Sequence, residues 1–196
     1  SVGVAARLGS LLDPVGLVLS LDRVHGDPVP AVEEALALGA DMVKAMCFPG
    51  SPREEESLSE AARVLAECHR RHLPVLLETI PVSFEATAEH TTAAVASAAR
   101  IGAELGADIL KTHFTAPDFA EVLVGIGVPL VVLGGPARHD ERAVLTDVSD
   151  AVLAGAAGVA IGRNLWDHPT PAKMVAATMA IVHGGAGVDE ALRELA

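Results

Sequence analysis

The chain has no tyrosine, one tryptophan and only three lysines, Lys44, Lys111 and Lys173, among its 196 residues. With so few stacking rings and ammonium groups, and a net charge of −12, it lacks the means to hold a nucleic-acid backbone. Its two cysteines, Cys47 and Cys68, are spaced neither as a disulfide framework nor as metal ligands, and read as ordinary thiols of a reducing cytoplasm. Residues are 51% hydrophobic and mean hydropathy is +0.41. Even so, no apolar run approaches the roughly 20 residues that span a bilayer, so a membrane protein is not expected. The opening residues also lack the charged, apolar and small-residue succession of a signal peptide.

What the chain does have is a series of short apolar stretches, each about 5–8 residues, punctuated by Gly or Pro. Such runs, without polar alternation, are the texture of parallel strands buried on both faces. Strands are expected over 15–21, 40–48, 74–80, 107–114, 128–135 and 158–165, and helices over 29–39, 52–72, 91–106, around 117–127, 140–156, 171–183 and 188–195. Strict alternation predicts a parallel sheet with right-handed crossovers. Three junctions repeat one phrase: ALGAD, ELGAD and AGAAG each end a helix on a glycine suited to the left-handed cap before entering a strand. This regularity fits a (β/α)8 TIM barrel, as a single domain over 1–196, better than a doubly wound sheet, with six of the eight βα units evident. Glu54, Glu55 and Glu56 suit one helix N-terminus and His69, Arg70 and His72 its other end; neither cluster is a site. Met174 and Met179 are assigned to the core.

Lys111, inside the apolar segment GADILKTHF, has no packing reason to be there. A buried ammonium is costly unless paired, and a desolvated amine is a nucleophile toward carbonyls. The other expected strand ends carry Ser20 and Asp22, Lys44, Glu78 with Thr79, His113, Gly134 with Gly135, and Gly162 with Arg163. Barrels collect their chemistry at these ends. Glycines after the last two strands let backbone N–H groups approach a phosphate, and Arg163 adds a charge for it. Glu78 is either paired with a lysine, for which Lys44 is available, or an acid/base group. Asp22 and His113 read equally well as satisfied core groups.

These residues together resemble the class I, Schiff-base aldolases of the archaeal-type fructose-bisphosphate aldolase and deoxyribose-phosphate aldolase superfamily. The resemblance runs from VEEALALGAD through GADILKT, PLVVLGGP and AGAAGVAIGRNLWDHPTP. It implies that Lys111 forms the covalent imine and that Gly134, Gly135, Gly162 and Arg163 hold a substrate phosphate. Two departures stand out. The position where members carry an acid/base tyrosine is Ile80, leaving Glu78 to look like the carboxylate of tagatose-bisphosphate-type aldolases. The first two βα units, with a strand-end Asp found in many members, have no counterpart, and Asp22 is the candidate to compensate.

The expected activity is metal-independent, cofactor-free aldol cleavage and condensation of a phosphorylated ketose. In it Lys111 is the nucleophile, Glu78 the carrier of the hydroxyl proton, and Lys44 tunes Lys111 or contacts substrate. The alternatives are an imine-forming transaldolase or synthase of the heptulosonate-synthase type, an acyltransferase of the same family, and a catalytically impaired barrel that binds a phosphorylated metabolite. A cytoplasmic homo-oligomer, without nucleic-acid or membrane partners, completes the expectation.

Overall fold

The computed structural model describes Ala5, residues 15–22 and residues 26–196. Six strands form one all-parallel sheet in the sequential order β1 to β6: β1 (Val18–Ser20), β2 (Met42–Cys47), β3 (Val75–Thr79), β4 (Ile109–Thr112), β5 (Leu130–Leu133) and β6 (Gly158–Ala160). Sequential order with all strands parallel is that of a barrel wall, here a curled six-stranded arc. The main connecting helices are α1 (Val29–Ala37), α2 (Glu54–Arg70), α3 (Thr92–Glu104), the short α4 (Phe119–Val122) and α5 (Glu141–Leu153). After β6 come the short α6 (Arg163–Trp166), α7 (Pro171–Gly184) and α8 (Val188–Ala191).

The repeated junctions behave as their glycines require. Gly39, Gly106 and Gly155 all take positive φ, at 72°, 97° and 107°. The next residue's N–H then reaches back five residues, Ala40 to Ala35, Ala107 to Gly102 and Ala156 to Ala151, closing the helix ends. The Asp of each GAD phrase has a separate task. Asp41 Oδ2 accepts the Leu17 N–H at 2.7 Å and Asp108 Oδ2 accepts the Val75 N–H at 2.8 Å, so each pins the start of the preceding strand.

Side chains alternate along β2 and β4. Val43, Ala45, Cys47, Leu110 and Thr112 turn outward and are buried beneath the helices, while Met42, Lys44, Met46, Ile109 and Lys111 turn inward and are half-buried. Sequence reasoning anticipated burial on both faces; only β3 is buried at all five positions. On the outer face Gly102 of α3 lies so close to the sheet that a Cβ there would stand 2.6 Å from Leu110 and 2.7 Å from Thr79. A second cluster joins α5, α7 and α8 through Leu145, Met174, Ala177, Ile181 and Ala191. Met179, assigned to the core from sequence, is 50% exposed. It lies five residues past Met174, about 140° around the helix at about 100° per residue, and so leaves the buried stripe.

The strands are shorter than the apolar runs that announced them, because ladder pairing covers only the overlap between neighbours. The clearest case follows β6, where Arg163–Trp166, expected to continue a strand to residue 165, forms a helical turn. Both cysteines are buried and free. Burial pushes the Cys47 thiol up to about 12.

Candidate active site

At the C-terminal ends of β1 to β4, four charged side chains form a string of alternating sign. Lys44 Nζ lies 2.6 Å from Asp22 Oδ2 and 2.7 Å from Glu78 Oε2; Lys111 Nζ lies 2.8 Å from Glu78 Oε1. Ladder register creates the last pairing directly, since Glu78 of β3 stands opposite Lys111 of β4. Lys44 stands one level lower, opposite Ser20 and Leu76, and reaches up to Glu78. The Thr112 hydroxyl donates to the Thr79 carbonyl at 3.0 Å, locking β3 and β4 together beside the pair. Two cations and two anions leave the string without net charge, which is what makes such groups tolerable out of water.

Glu78 is 3% exposed. Burial pushes its carboxyl up, but the Lys44 and Lys111 ammoniums outweigh that and hold it below the ordinary carboxylate value. Both of its oxygens are therefore committed to amines. The Ser20 hydroxyl donates to Asp22 Oδ2 at 2.5 Å, whereas Asp22 Oδ1 is buried without a partner among the described residues.

Lys111 and Glu78 line a cleft of about 790 Å³ together with the loops after β5 and β6, including Gly134, Gly135, Gly162 and Arg163. Six of the eight residues picked from sequence thus share one cavity. Asp22 instead lines a neighbouring cleft of about 490 Å³, and Lys44 spans from it to Glu78. Phe84 and Glu85 wall both clefts.

The glycine loops approach each other closely. A Cβ on Gly134 would stand 2.6 Å from Ile161 Cγ2, and Gly135 takes φ +62°. Asn164, 6% exposed, holds the loops together: its Nδ2 donates to the Gly134 and Pro136 carbonyls at 2.8 and 3.1 Å, and its Oδ1 accepts the Arg138 N–H at 2.7 Å. Arg163 Nη2 donates to the Gly135 carbonyl at 3.0 Å, leaving further guanidinium donors for the cleft. Asn164 had no role in the sequence reading beyond its place in the GRN phrase.

Two further cleft residues were not assigned a role from sequence. His113 is the next inward position after Lys111, and its ring stacks on His90 with centroids 3.9 Å apart and planes at 27°. His90 Nε2 lies 2.8 Å from the Ser83 carbonyl, so that nitrogen carries the proton and donates. Among the described residues, no group of three or more His, Cys, Asp or Glu side chains is placed to hold a metal ion.

An inward lysine on one barrel strand, a carboxylate opposite it on the next, and paired glycine loops across the cleft are the layout of a class I aldolase. The chain belongs to the DeoC/LacD family aldolases, whose sequence profile matches residues 14–168. It is 37% identical over 199 aligned positions to 2-amino-3,7-dideoxy-D-threo-hept-6-ulosonate synthase 1 of Archaeoglobus fulgidus, across 97% of this chain and 75% of that one. To the class 1 fructose-bisphosphate aldolase of Thermoproteus tenax it is 35% identical over 189 positions, across 91% and 72%. Its fold matches that of an archaeal fructose-1,6-bisphosphate aldolase with the catalytic lysine covalently bound to the carbinolamine intermediate of the substrate. That match has a TM-score of 0.80 and 33% identity, covering 92% of this chain and 76% of the other. The chain thus spans about three quarters of the length of these relatives. No helix among the described residues is long and apolar enough to cross a membrane.

Proposed function

We propose that this chain makes and breaks a carbon–carbon bond of a phosphorylated ketose through an imine on Lys111. The observation that carries the reading is the 2.8 Å pairing of Lys111 with Glu78 in a cleft that the glycine loops and Arg163 also line. Glu78 takes a proton from the Lys111 ammonium across that contact, while Lys44 keeps the carboxyl oriented through its other oxygen. The freed amine attacks the ketone carbon. Glu78 returns the proton to the carbinolamine oxygen, which leaves as water, and the resulting iminium accepts the electron pair released when the neighbouring bond breaks. Gly134, Gly135, Gly162 and Arg163 anchor the phosphate, so that binding energy far from the reacting carbon orients it.

A second reading keeps the same imine but transfers the carbon fragment in a synthase of the heptulosonate type. The 37% identity to the Archaeoglobus fulgidus synthase favours it. Assaying fructose 1,6-bisphosphate cleavage beside condensation of ketose-derived fragments with amino-acid-derived aldehydes separates the two. Loss of every such reaction in Lys111→Met, with phosphate binding retained, is expected under both. A Lys111→Met protein with undiminished turnover sinks both.

A further inference from the structure

The aldol reaction needs a group that takes the proton from the substrate hydroxyl and later gives one to the enamine carbon. Sequence reasoning assigned that task to Glu78. In the folded chain both Glu78 oxygens lie on ammoniums, at 2.7 and 2.8 Å, and serve the amine end of the cleft. Tyrosine is absent, and Glu85 is exposed at the cleft mouth.

His113 has the features the task demands. Two residues beyond Lys111 on the same strand line, it faces the same side and lines the same cleft. Its ring is clamped: stacked on His90 at 3.9 Å, and set edge-on to Phe84 with centroids 6.4 Å apart. His90 is itself fixed by its bond to the Ser83 carbonyl. His113 Nε2 is buried and has no hydrogen-bond partner among the described residues, a cost that a ligand hydroxyl in the cleft would relieve. Burial and the adjacent His90 ring lower the His113 imidazole to about 4, so the ring enters the reaction neutral, as a base.

We propose that His113, held by its stack on His90, is the catalytic residue that carries the proton between the substrate hydroxyl and the enamine carbon, leaving Glu78 to serve the amine. Its neutral imidazole accepts the hydroxyl proton as the carbon–carbon bond breaks. The bond's electron pair enters the iminium to give an enamine, and the hydroxyl-bearing fragment departs as an aldehyde. The imidazolium then protonates the enamine carbon, which restores the neutral ring and leaves an iminium for water to hydrolyse. Atoms and charges balance with no further reactant.

The inference rests on the aldolase reading, and one experiment separates the two. Dihydroxyacetone phosphate serves as the probe, with two readouts: borohydride capture at Lys111, and exchange of its carbon-bound protons in deuterated buffer. The wild-type chain is expected to do both. His113→Gln and His113→Phe, the second preserving a ring for the stack, are expected to be captured at Lys111 within about threefold of wild type while exchange falls at least about 100-fold. Wild-type exchange in either variant, or parallel loss of capture and exchange in both, overturns the assignment. A wild-type chain that is never captured removes the aldolase reading itself, and this inference with it.

Discussion

Replacing Glu78 by glutamine removes one negative charge from between two ammoniums while nearly preserving volume. Lys44 keeps Asp22 at 2.6 Å, but Lys111 loses the carboxylate it faces. Deleting one partner of a buried pair costs about 3–5 kcal/mol. Two features lower that figure here. The Lys111 side chain is 15% exposed at the cleft end, so water reaches it, and the glutamine oxygen still accepts one hydrogen bond. We therefore expect Glu78→Gln to destabilise the chain by about 2–3 kcal/mol at neutral pH, or a Tm drop of about 2–4 °C per kcal/mol.

The pH dependence has a fixed sign. Glu78 sits below its ordinary value of 4.5 in the folded chain, so the unfolded chain binds its proton first as the solution is acidified. Its contribution is complete above that unfolded value and is lost as pH falls through the folded one. Urea unfolding followed by circular dichroism, in steps from about pH 7 to about pH 3, should show wild type and variant converging in acid. A variant as stable as wild type at neutral pH, or a gap that persists undiminished in acid, would falsify the electrostatic account of this cluster.

Other outcomes follow from the same geometry. Gly102→Ala places a methyl 2.6 Å from Leu110 and 2.7 Å from Thr79, and should cost about 1–3 kcal/mol in urea unfolding despite alanine's better helix propensity. A neutral or stabilised variant would mean that α3 can lift off the sheet freely. Arg163→Gln should raise KM for a phosphorylated ketose at least about tenfold, with little change for its unphosphorylated analogue; equal effects on both would remove Arg163 from the phosphate cradle. His113, lowered from 6.5 to about 4 by burial and His90, stays neutral in the fold while the unfolded chain takes up its proton. Wild type should therefore lose stability between those two values, by at most about 3 kcal/mol from linkage and about 1–2 kcal/mol after solvent screening at the cleft wall. Lys111 opposes protonation of His113 and Glu78 favours it, so neither alone sets the window. His113→Phe should lack that slope, and a matching slope in the variant would place the titration elsewhere.

Much of this arrangement was legible in the sequence, because each strand lies within its apolar run and the polar residues stand toward the C-terminal end of that run. Lys111, Glu78 and the glycine loops could be placed on one rim from strand order alone, and the left-handed caps at Gly39, Gly106 and Gly155 from their phrases. Local pattern misses what depends on the neighbour's register. Glu78 was matched with Lys44, but its second pairing, with Lys111, arises because those two residues stand opposite each other on β3 and β4. The His90–His113 stack joins residues far apart in the chain through the turn around Thr87–Glu89, which has no periodicity to read. His113 itself left a signal, the spacing of two after Lys111, which sets both on one face. Asn164 was hidden by its own neighbours: the expected strand continued through it, whereas a helical turn buries its amide between the two glycine loops.

Covalent attachment of substrate to Lys111 is the step on which every other role in the cleft depends. The most direct measurement is mass spectrometry of the peptides from wild-type protein reduced with borohydride in the presence of fructose 1,6-bisphosphate or dihydroxyacetone phosphate. An added mass of the reduced ketose phosphate is expected on the peptide that carries Lys111, and none on those carrying Lys44 or Lys173. Full retro-aldol turnover with Lys111 unmodified, or capture at Lys44 instead, would contradict it.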